Sequence, residues 1–272
     1  MVGGLGLGRH DPCARWIEGS YWFAARTPAG PGSIRLAPKI EAFGPAADWL
    51  LERAPGLLGE LDDVSGFVAH HALVKRLPVV RLPRTGLVFP RLLRAVCEQK
   101  VTGKEAYRAY AAIVRHFREE APGPAAGLLL PPSPEMILGT PYYDFHRLGL
   151  EQRRAEVLRR CAFEASRLES CVDSASLAKR LMAIPGVGPW TVAEVTRLVF
   201  GDADAVSVGD YHMKNIISWA LAGEPRGTDE RMLELLEPYR GHRGRVCVMI
   251  ETAGIGAPRF GPRVALRDFR SF

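Results

Sequence analysis

The segment Leu181–Asp210, LMAIPGVGPWTVAEVTRLVFGDADAVSVGD, constrains this chain more than any other stretch. It reads as the end of one helix, a glycine turn, a second helix from about Trp190 to Phe200, and a polar loop that closes on Asp210. Pro185 stops the first helix, because the residue before a proline is driven out of the αR region. Gly186 and Gly188 permit positive φ and carry no Cβ to obstruct a close approach. Pro189 pre-sets φ for the first turn of the next helix. The amides around Gly186, Val187 and Gly188 are thereby left at a helix N-terminus without intrahelical acceptors, which favours a phosphate. A bare Gly-x-Gly would mean only a tight turn between packed helices.

The fuller pattern is more specific. An apolar-Pro-Gly-Val-Gly run between two helices, with an aspartate 22 positions after the second glycine, resembles the helix-hairpin-helix DNA glycosylase superfamily. The resemblance runs from about Phe89 to Ala253 and is strongest between Leu181 and Asn215. Over residues 1–80 only the general layout matches. It implies that the hairpin residues Gly186, Val187, Gly188 and Thr191 grip the DNA backbone and that Asp210 is catalytic. His212 and Arg243 are further expected DNA contacts. In relatives a monovalent cation, Na+ or K+, sits on the hairpin carbonyls, and no side-chain metal site is expected here.

Bifunctional members place a Schiff-base lysine two positions after the second glycine. Here that position is Trp190, and no lysine occurs between Leu181 and Asp210. The resemblance therefore implies a monofunctional enzyme that removes a base, leaves an abasic site and has no AP lyase activity. The Gly-Pro-Trp-Thr sequence is similar to the 3-methyladenine DNA glycosylase II branch, whose matching tryptophan lines the base pocket. Purines methylated at N3 or N7 are cationic, leave readily, and are attracted to an aromatic face by roughly 0.5–2 kcal/mol. The implied function is excision of bases such as 3-methyladenine or 7-methylguanine from double-stranded DNA by a monomer. Asp210 would stabilise an oxocarbenium-like sugar and take a proton from water.

Two positions depart from that branch. Glu194, one turn after Trp190 on the same face, and Glu251, at the end of the apolar run Val246–Ile250, stand where relatives carry aromatics. The two carboxylates could accept hydrogen bonds from a base or pair with neighbouring arginines. They keep open a deaminated or oxidised purine as substrate. A non-catalytic helix-hairpin-helix DNA-binding protein is a third possibility, against which Asp210 argues. Asp210 is also placed to cap the helix that follows it, which does not exclude catalysis.

Bulk properties set the frame. The 272 residues allow one large domain or several small ones, and a net charge of +6 suits a polyanionic partner without requiring one. No run of 18 apolar residues suggests a membrane span and no signal-peptide pattern opens the chain. Five scattered cysteines, with only Cys247 past the hairpin, point to reduced thiols in a cytoplasm, and the resemblance to DNA glycosylases implies a bacterial protein associated with the nucleoid. The cysteines also argue against the four-cysteine iron–sulfur cluster that some family members carry.

Taken in order, the Gly-rich residues 1–15 predict a mobile terminus. The β-favouring runs Trp16–Ile17 and Tyr21–Ala25, the turn at Thr27–Gly32 and the alternation Ser33–Leu36 predict a hairpin. Helices are predicted from Ala46 to Arg53, ended by Pro55-Gly56, and across Phe67–Leu77. Residues 1–85 are thus read as a small α+β domain, and 86–272 as a helical glycosylase core with its hairpin at about 174–200. The expected fold is mostly α, with an N-terminal α+β domain and a helix-hairpin-helix glycosylase fold. Ala121–Pro134 reads as a linker. In the core, Gln99 and Lys100 after an amphipathic helix occupy the place of the wedge that fills the hole left by an everted base. Tyr142, Tyr143 and Phe145 are candidate pocket aromatics. The following helix carries Arg153, Arg154, Arg159 and Arg160 opposite a stripe of Leu150, Ala155, Val157, Leu158 and Cys161. The basic turn Arg240–Arg245 and a tail with Arg259, Arg263, Arg267 and Arg270 end the chain.

Overall fold

The computed structural model describes residues 4–258, so the four tail arginines lie outside it. Aromatic and β-branched residues build four strands: β1 (Ala14–Ile17), β2 (Ser20–Thr27), β3 (Gly30–Ala37) and β4 (Glu41–Phe43). They form an antiparallel meander in chain order, with Phe23 opposite Ile34 and Trp22 opposite Arg35. Alternation along β2 sorts its side chains onto two faces. Tyr21, Phe23 and Ala25 pack with Ile34 and Leu36 under Leu50, Ala54 and Leu57 of α1 (Ala47–Leu57). Trp22 and Ala24 pack on the opposite side against Ala125, Leu128 and Leu130.

The second layer is helical. Helices α3 (Val88–Glu98), α4 (Gly103–Phe117), α5 (Pro134–Gly139), α6 (Tyr142–Arg147), α7 (Gln152–Phe163), α8 (Ala165–Glu169), α9 (Ser174–Met182) and α10 (Pro189–Phe200) surround the largest core. All five residues of the predicted stripe from Leu150 to Cys161 are buried in it. Thr102 and Glu105 close a capping box at the start of α4, which fixes the turn that follows α3. A third core joins α11 (Met213–Ala222), α12 (Asp229–Leu236) and α13 (Arg243–Thr252) with Val74 of α2 (Ala72–Arg76). Residues 64–80 therefore pack on the C-terminal helices, although they precede the helical core in sequence. Among the described residues no helix is long and apolar enough to cross a membrane.

Four local expectations are corrected. Residues 4–15 are packed: Asp11 is buried and accepts hydrogen bonds from the amides of Leu7, Cys13 and Ala14, and Leu5 is 6% exposed. Ala121–Pro134 is a strap seated on the sheet, held by Leu128 and Leu130 and by Arg26 donating to the Pro131 carbonyl. Helix α1 runs through Pro55, because burial of Gly56 and Leu57 outweighs the one hydrogen bond that proline removes. Within Phe67–Leu77 only Ala72–Arg76 is helical, since Phe67 and Tyr239 stack at 6.4 Å and hold the upstream part against the C-terminal helices.

That strapping is pH-sensitive. His242 Nδ1 accepts from Arg245 Nε at 3.2 Å, and His242 meets Phe67 edge-on. Burial, followed by the Arg245 charge, holds the His242 pKa below its ordinary 6.5. The unfolded chain then binds the proton more readily, so this contribution is complete above about pH 6.5 and is lost as the pH falls. Thermal melts between about pH 7 and 5 are expected to fall more steeply for the wild type than for His242→Gln.

Candidate active site

The hairpin is set by packing as well as turn chemistry. Ile184 and Val187 are 6% and 7% exposed, and the Val187 amide donates to the Ile184 carbonyl at 3.0 Å. Gly186 has φ +96°, and a Cβ there would stand 2.3 Å from Cγ2 of Val157. Both constraints demand glycine. Gly186→Ala is expected to destabilise by more than about 1 kcal/mol, read as a lower Tm, and to weaken duplex binding through the displaced turn. Gly188 is different: its φ is −123° and nothing lies within 4 Å of a built Cβ. Neither backbone nor packing requires glycine there, and the position faces open space at the N-cap of α10. The first intrahelical bond of α10 runs from the Val192 amide to the Gly188 carbonyl at 3.0 Å. The amides of Trp190 and Thr191 ahead of it have no intrahelical acceptor, and they sit at the positive end of the helix dipole.

Gln99 is turned inward. Its Nε2 donates to the Gly186 carbonyl at 3.2 Å and to Thr191 Oγ1 at 3.0 Å, which ties the end of α3 to the hairpin. Thr191 is only 2% exposed, so what it can offer a phosphate is its amide. Lys100 follows in the left-handed region at φ 53° and is exposed. Arg160 Nη1 donates to the Pro185 carbonyl at 3.2 Å. Arg154 reaches the Cys97 carbonyl at 2.7 Å, and Arg159 the carbonyls of Ile137 and Leu138 at 3.2 and 2.9 Å. Three of the four α7 arginines are thus spent on backbone carbonyls, and Arg153 is left exposed.

Asp210 does two things at once. Its Oδ1 accepts the amides of His212 and Met213 at 2.7 and 2.8 Å, which caps α11. Its Oδ2 accepts from Trp190 Nε1 at 3.0 Å. The carboxylate is held by one edge and stands beside the indole at the mouth of the hairpin helix. His212 and Tyr211 are exposed next to it, their rings edge-on at 4.9 Å, with Tyr211 76% exposed.

Glu194 is engaged in ion pairs. Its carboxylate, 14% exposed, bonds Arg197 Nη2, Ser207 Oγ and Arg91 Nη2, each at 2.6 Å. Burial alone would raise its pKa, but Arg197, Arg91 and Ser207 hold it down at about 2. Of its two expected roles, Glu194 takes the pairing with neighbouring arginines rather than a place in the base pocket. Glu251 lies at the end of α13 and is exposed as a residue. Desolvation of its carboxyl raises its pKa, Arg197 opposes this, and the charges of Glu194 and Asp210 add to the rise. Phe145 is wholly buried in the central core, filling it rather than facing an everted base. Tyr142 and Tyr143 are exposed and line an open groove with Arg147 and Arg153. Arg243 is committed to Asp204, with Nε–Oδ1 at 2.9 Å and Nη2–Oδ2 at 2.5 Å, so it is not a free cation for DNA. The buried thiols Cys97, Cys161 and Cys247 are pushed up to about 12 by burial and are unreactive.

Residues 93–240 match the family described as HhH-GPD superfamily base excision DNA repair protein. The chain belongs to that superfamily. The HhH-GPD match contains the Gln99–Lys100 turn, the hairpin and Asp210, while Glu251 and the sheet lie outside it. A Bacillus subtilis (strain 168) protein, YfjP, provisionally named a DNA-3-methyladenine glycosylase, is 25% identical over 162 residues. That match covers 56% of this chain and 55% of YfjP, so the chain spans about half the length of the curated relative it matches. The fold of 3-methyladenine DNA-glycosylase from Archaeoglobus fulgidus superposes with a TM-score of 0.76 at 18% identity, over 92% of this chain and 91% of the other. The apo 8-oxoguanine glycosylase/lyase of Clostridium acetobutylicum gives 0.59 at 12% identity, over 88% and 98%. Identities of this size establish a shared fold. Arg91, Arg197 and Ser207 around Glu194, and Tyr211 beside Asp210, escape the sequence reading. Only Arg197, three residues after Glu194, carried a readable signal as an i,i+3 partner.

Proposed function

We propose that the protein is a monofunctional DNA glycosylase that flips out and excises alkylated, cationic purines, 3-methyladenine or 7-methylguanine among them, leaving an abasic site in double-stranded DNA. One observation carries this: Asp210 Oδ2 stands 3.0 Å from the indole nitrogen of Trp190 at the start of the hairpin helix. With its other oxygen held by two amides, the carboxylate is oriented to stabilise the positive charge that grows on the sugar as the base departs. It then accepts the proton of the attacking water. Trp190 offers an aromatic face to a cationic base at the position where a lyase would need an amine. The next lysine in the chain, Lys214, lies 3.7 Å from Asp229.

The remaining parts follow from their placement. The open amides at Gly188, Trp190 and Thr191 take a backbone phosphate. Exposed Lys100 is the wedge, its stem filling the vacated stack and its ammonium reaching a phosphate, while Gln99 braces the hairpin. The carbonyls of Ile184, Pro185 and Gly186 each accept one hydrogen bond and keep a second lone pair, which suits a monovalent cation. No iron–sulfur cluster takes part, and the protein acts as a monomer. The 3-methyladenine glycosylase names of YfjP and of the Archaeoglobus fulgidus protein support this choice of base. Glu251 favours a second reading, a neutral deaminated or oxidised purine. Its carboxylate can accept a hydrogen bond from the N–H edge of a base, and the Clostridium acetobutylicum protein of the same fold is an 8-oxoguanine glycosylase/lyase.

The test is mass spectrometry of free bases released from a duplex pool carrying mixed lesions, with borohydride trapping alongside. Release of methylated purines without a trapped covalent adduct is expected. Release of only oxidised or deaminated bases would move the assignment to the second reading, and a trapped adduct would overturn monofunctionality.

A further inference from the structure

Glu194 stands where three segments meet, and it bonds to all of them. Arg91, on α3, sends Nη2 to Glu194 Oε2 at 2.6 Å and Nε to the Glu194 backbone carbonyl at 2.9 Å. The same guanidinium holds Glu98, the last residue of α3 before Gln99 and Lys100, through Nη1 at 3.0 Å. Arg197, one turn further along α10, completes the pairing at Oε1. Ser207 Oγ reaches the same oxygen at 2.6 Å, and the Ser207 carbonyl accepts the Asp210 amide at 3.1 Å. A continuous chain of bonds therefore runs from the wedge turn, through Arg91, Glu194 and Ser207, to the residue that carries the chemistry. Arg91 is 4% exposed, and Ser207 is 3% exposed as a residue.

This arrangement is more than stability needs. A buried ion pair is roughly neutral for stability against packed apolar groups, but it fixes geometry where bonds are directional. Both carboxylate oxygens of Glu194 are engaged, by Arg91 on one side and by Arg197 and Ser207 on the other, so the side chain is held in place. What it fixes is the separation between the end of α3 and the loop that carries Asp210. Misplacing a catalytic group by about 1 Å can cost on the order of a hundredfold in rate.

We propose that Glu194 is a positioning residue: through Arg91 and Ser207 it sets Asp210 against Trp190 and against the wedge turn. The inference rests on the base-excision reading for its kinetic arm and is independent of it for its spectroscopic arm.

Three variants test it. Glu194→Gln removes the charge, Ser207→Ala removes only the hydroxyl link, and Glu194→Met with Arg197→Met replaces the pair by apolar volume while Arg91 keeps Glu98. Single-turnover base release is expected to fall at least about tenfold in Glu194→Gln and in the double variant, and by less in Ser207→Ala. The Kd for abasic-site duplex should change less than about threefold, an effect too small to account for the lost rate. The chain holds five tryptophans, so the indole N–H region of a 1H–15N spectrum can be assigned at Trp190 by Trp190→Phe. The Trp190 signal should move in all three variants. Wild-type release rates with an unmoved Trp190 signal would overturn the proposal. So would recovery of both Tm and release in the double variant, which would make the network merely structural. If the wild type releases no base, the glycosylase reading fails. The Trp190 shift in Ser207→Ala then decides for Glu194 if present and against it if absent.

Discussion

Asp210→Asn is expected to lower single-turnover base release by about 10³-fold while leaving binding to an abasic-site duplex nearly intact. Asparagine is the informative substitution because of what Asp210 does besides chemistry. Its Oδ1 caps α11 through the His212 and Met213 amides. Asparagine caps helices about as well as aspartate, so the loop should hold its place. The lost property is the negative charge facing the sugar, and removing one preorganised electrostatic group of this kind costs about 10²–10³ in rate. One complication is local: asparagine keeps only one acceptor oxygen, so with that oxygen capping α11 its amide nitrogen faces the Trp190 indole N–H, donor against donor. Trp190→Phe with Asp210→Asn removes that conflict and should be no more active than Asp210→Asn alone. Quenched-flow release of a methylated purine, with fluorescence anisotropy for binding, measures both quantities. A variant that retains the wild-type rate would sink Asp210 as the acting carboxylate.

The largest expected effect on stability lies far from that carboxylate. Arg245 is fully buried and bonds Asp62 through both arms of its guanidinium, at 2.5 and 2.8 Å. It also donates to the carbonyls of Val80 and Asp63 at 2.6 and 3.2 Å. Removing one partner of such a pair strands the other charge in the interior, which costs about 3–5 kcal/mol. Arg245→Met should therefore lower Tm by about 6–20 °C for a chain of this size. Adding Asp62→Leu should return part of the loss. It cannot return all of it, because Asp62 Oδ2 also accepts the Leu82 amide at 2.9 Å. Differential scanning calorimetry of the two variants is sufficient. If both melt like the wild type, the latch carries no weight.

Local rules made the hairpin and the helical core readable from the sequence. Pro185, the two glycines and Pro189 each have one comfortable conformation in that order, and the stripe from Leu150 to Cys161 follows the helical period. Asp210 was readable because its distance from the hairpin is fixed along the chain. The departures come from contacts distant in sequence. Nothing near Gly6 announces that a Cβ would meet the Ala14 carbonyl at 2.3 Å. Nothing in the prolines and glycines of Ala121–Pro134 announces that Trp22 lies beneath them. Arg243 reads as a basic turn residue until Asp204, some forty positions earlier, folds against it. Glu194 and Phe145 were placed in the pocket by analogy of position. The packing of α3 against α10 sets the surroundings of Glu194, and that of α6 against α7 buries Phe145; no single-chain periodicity reports either.

The Arg245–Asp62 latch bears on how freely the parts of this molecule can be exchanged. Residues 4–85 contribute the sheet at one end, and at the other end they supply Asp62 and the 64–80 strap to the C-terminal helices. A chimera that takes its sheet unit from a relative must therefore import an acid matched to Arg245, or surrender Arg245 along with it. Evolutionary drift should obey the same bookkeeping: Asp62 and Arg245 can change only together.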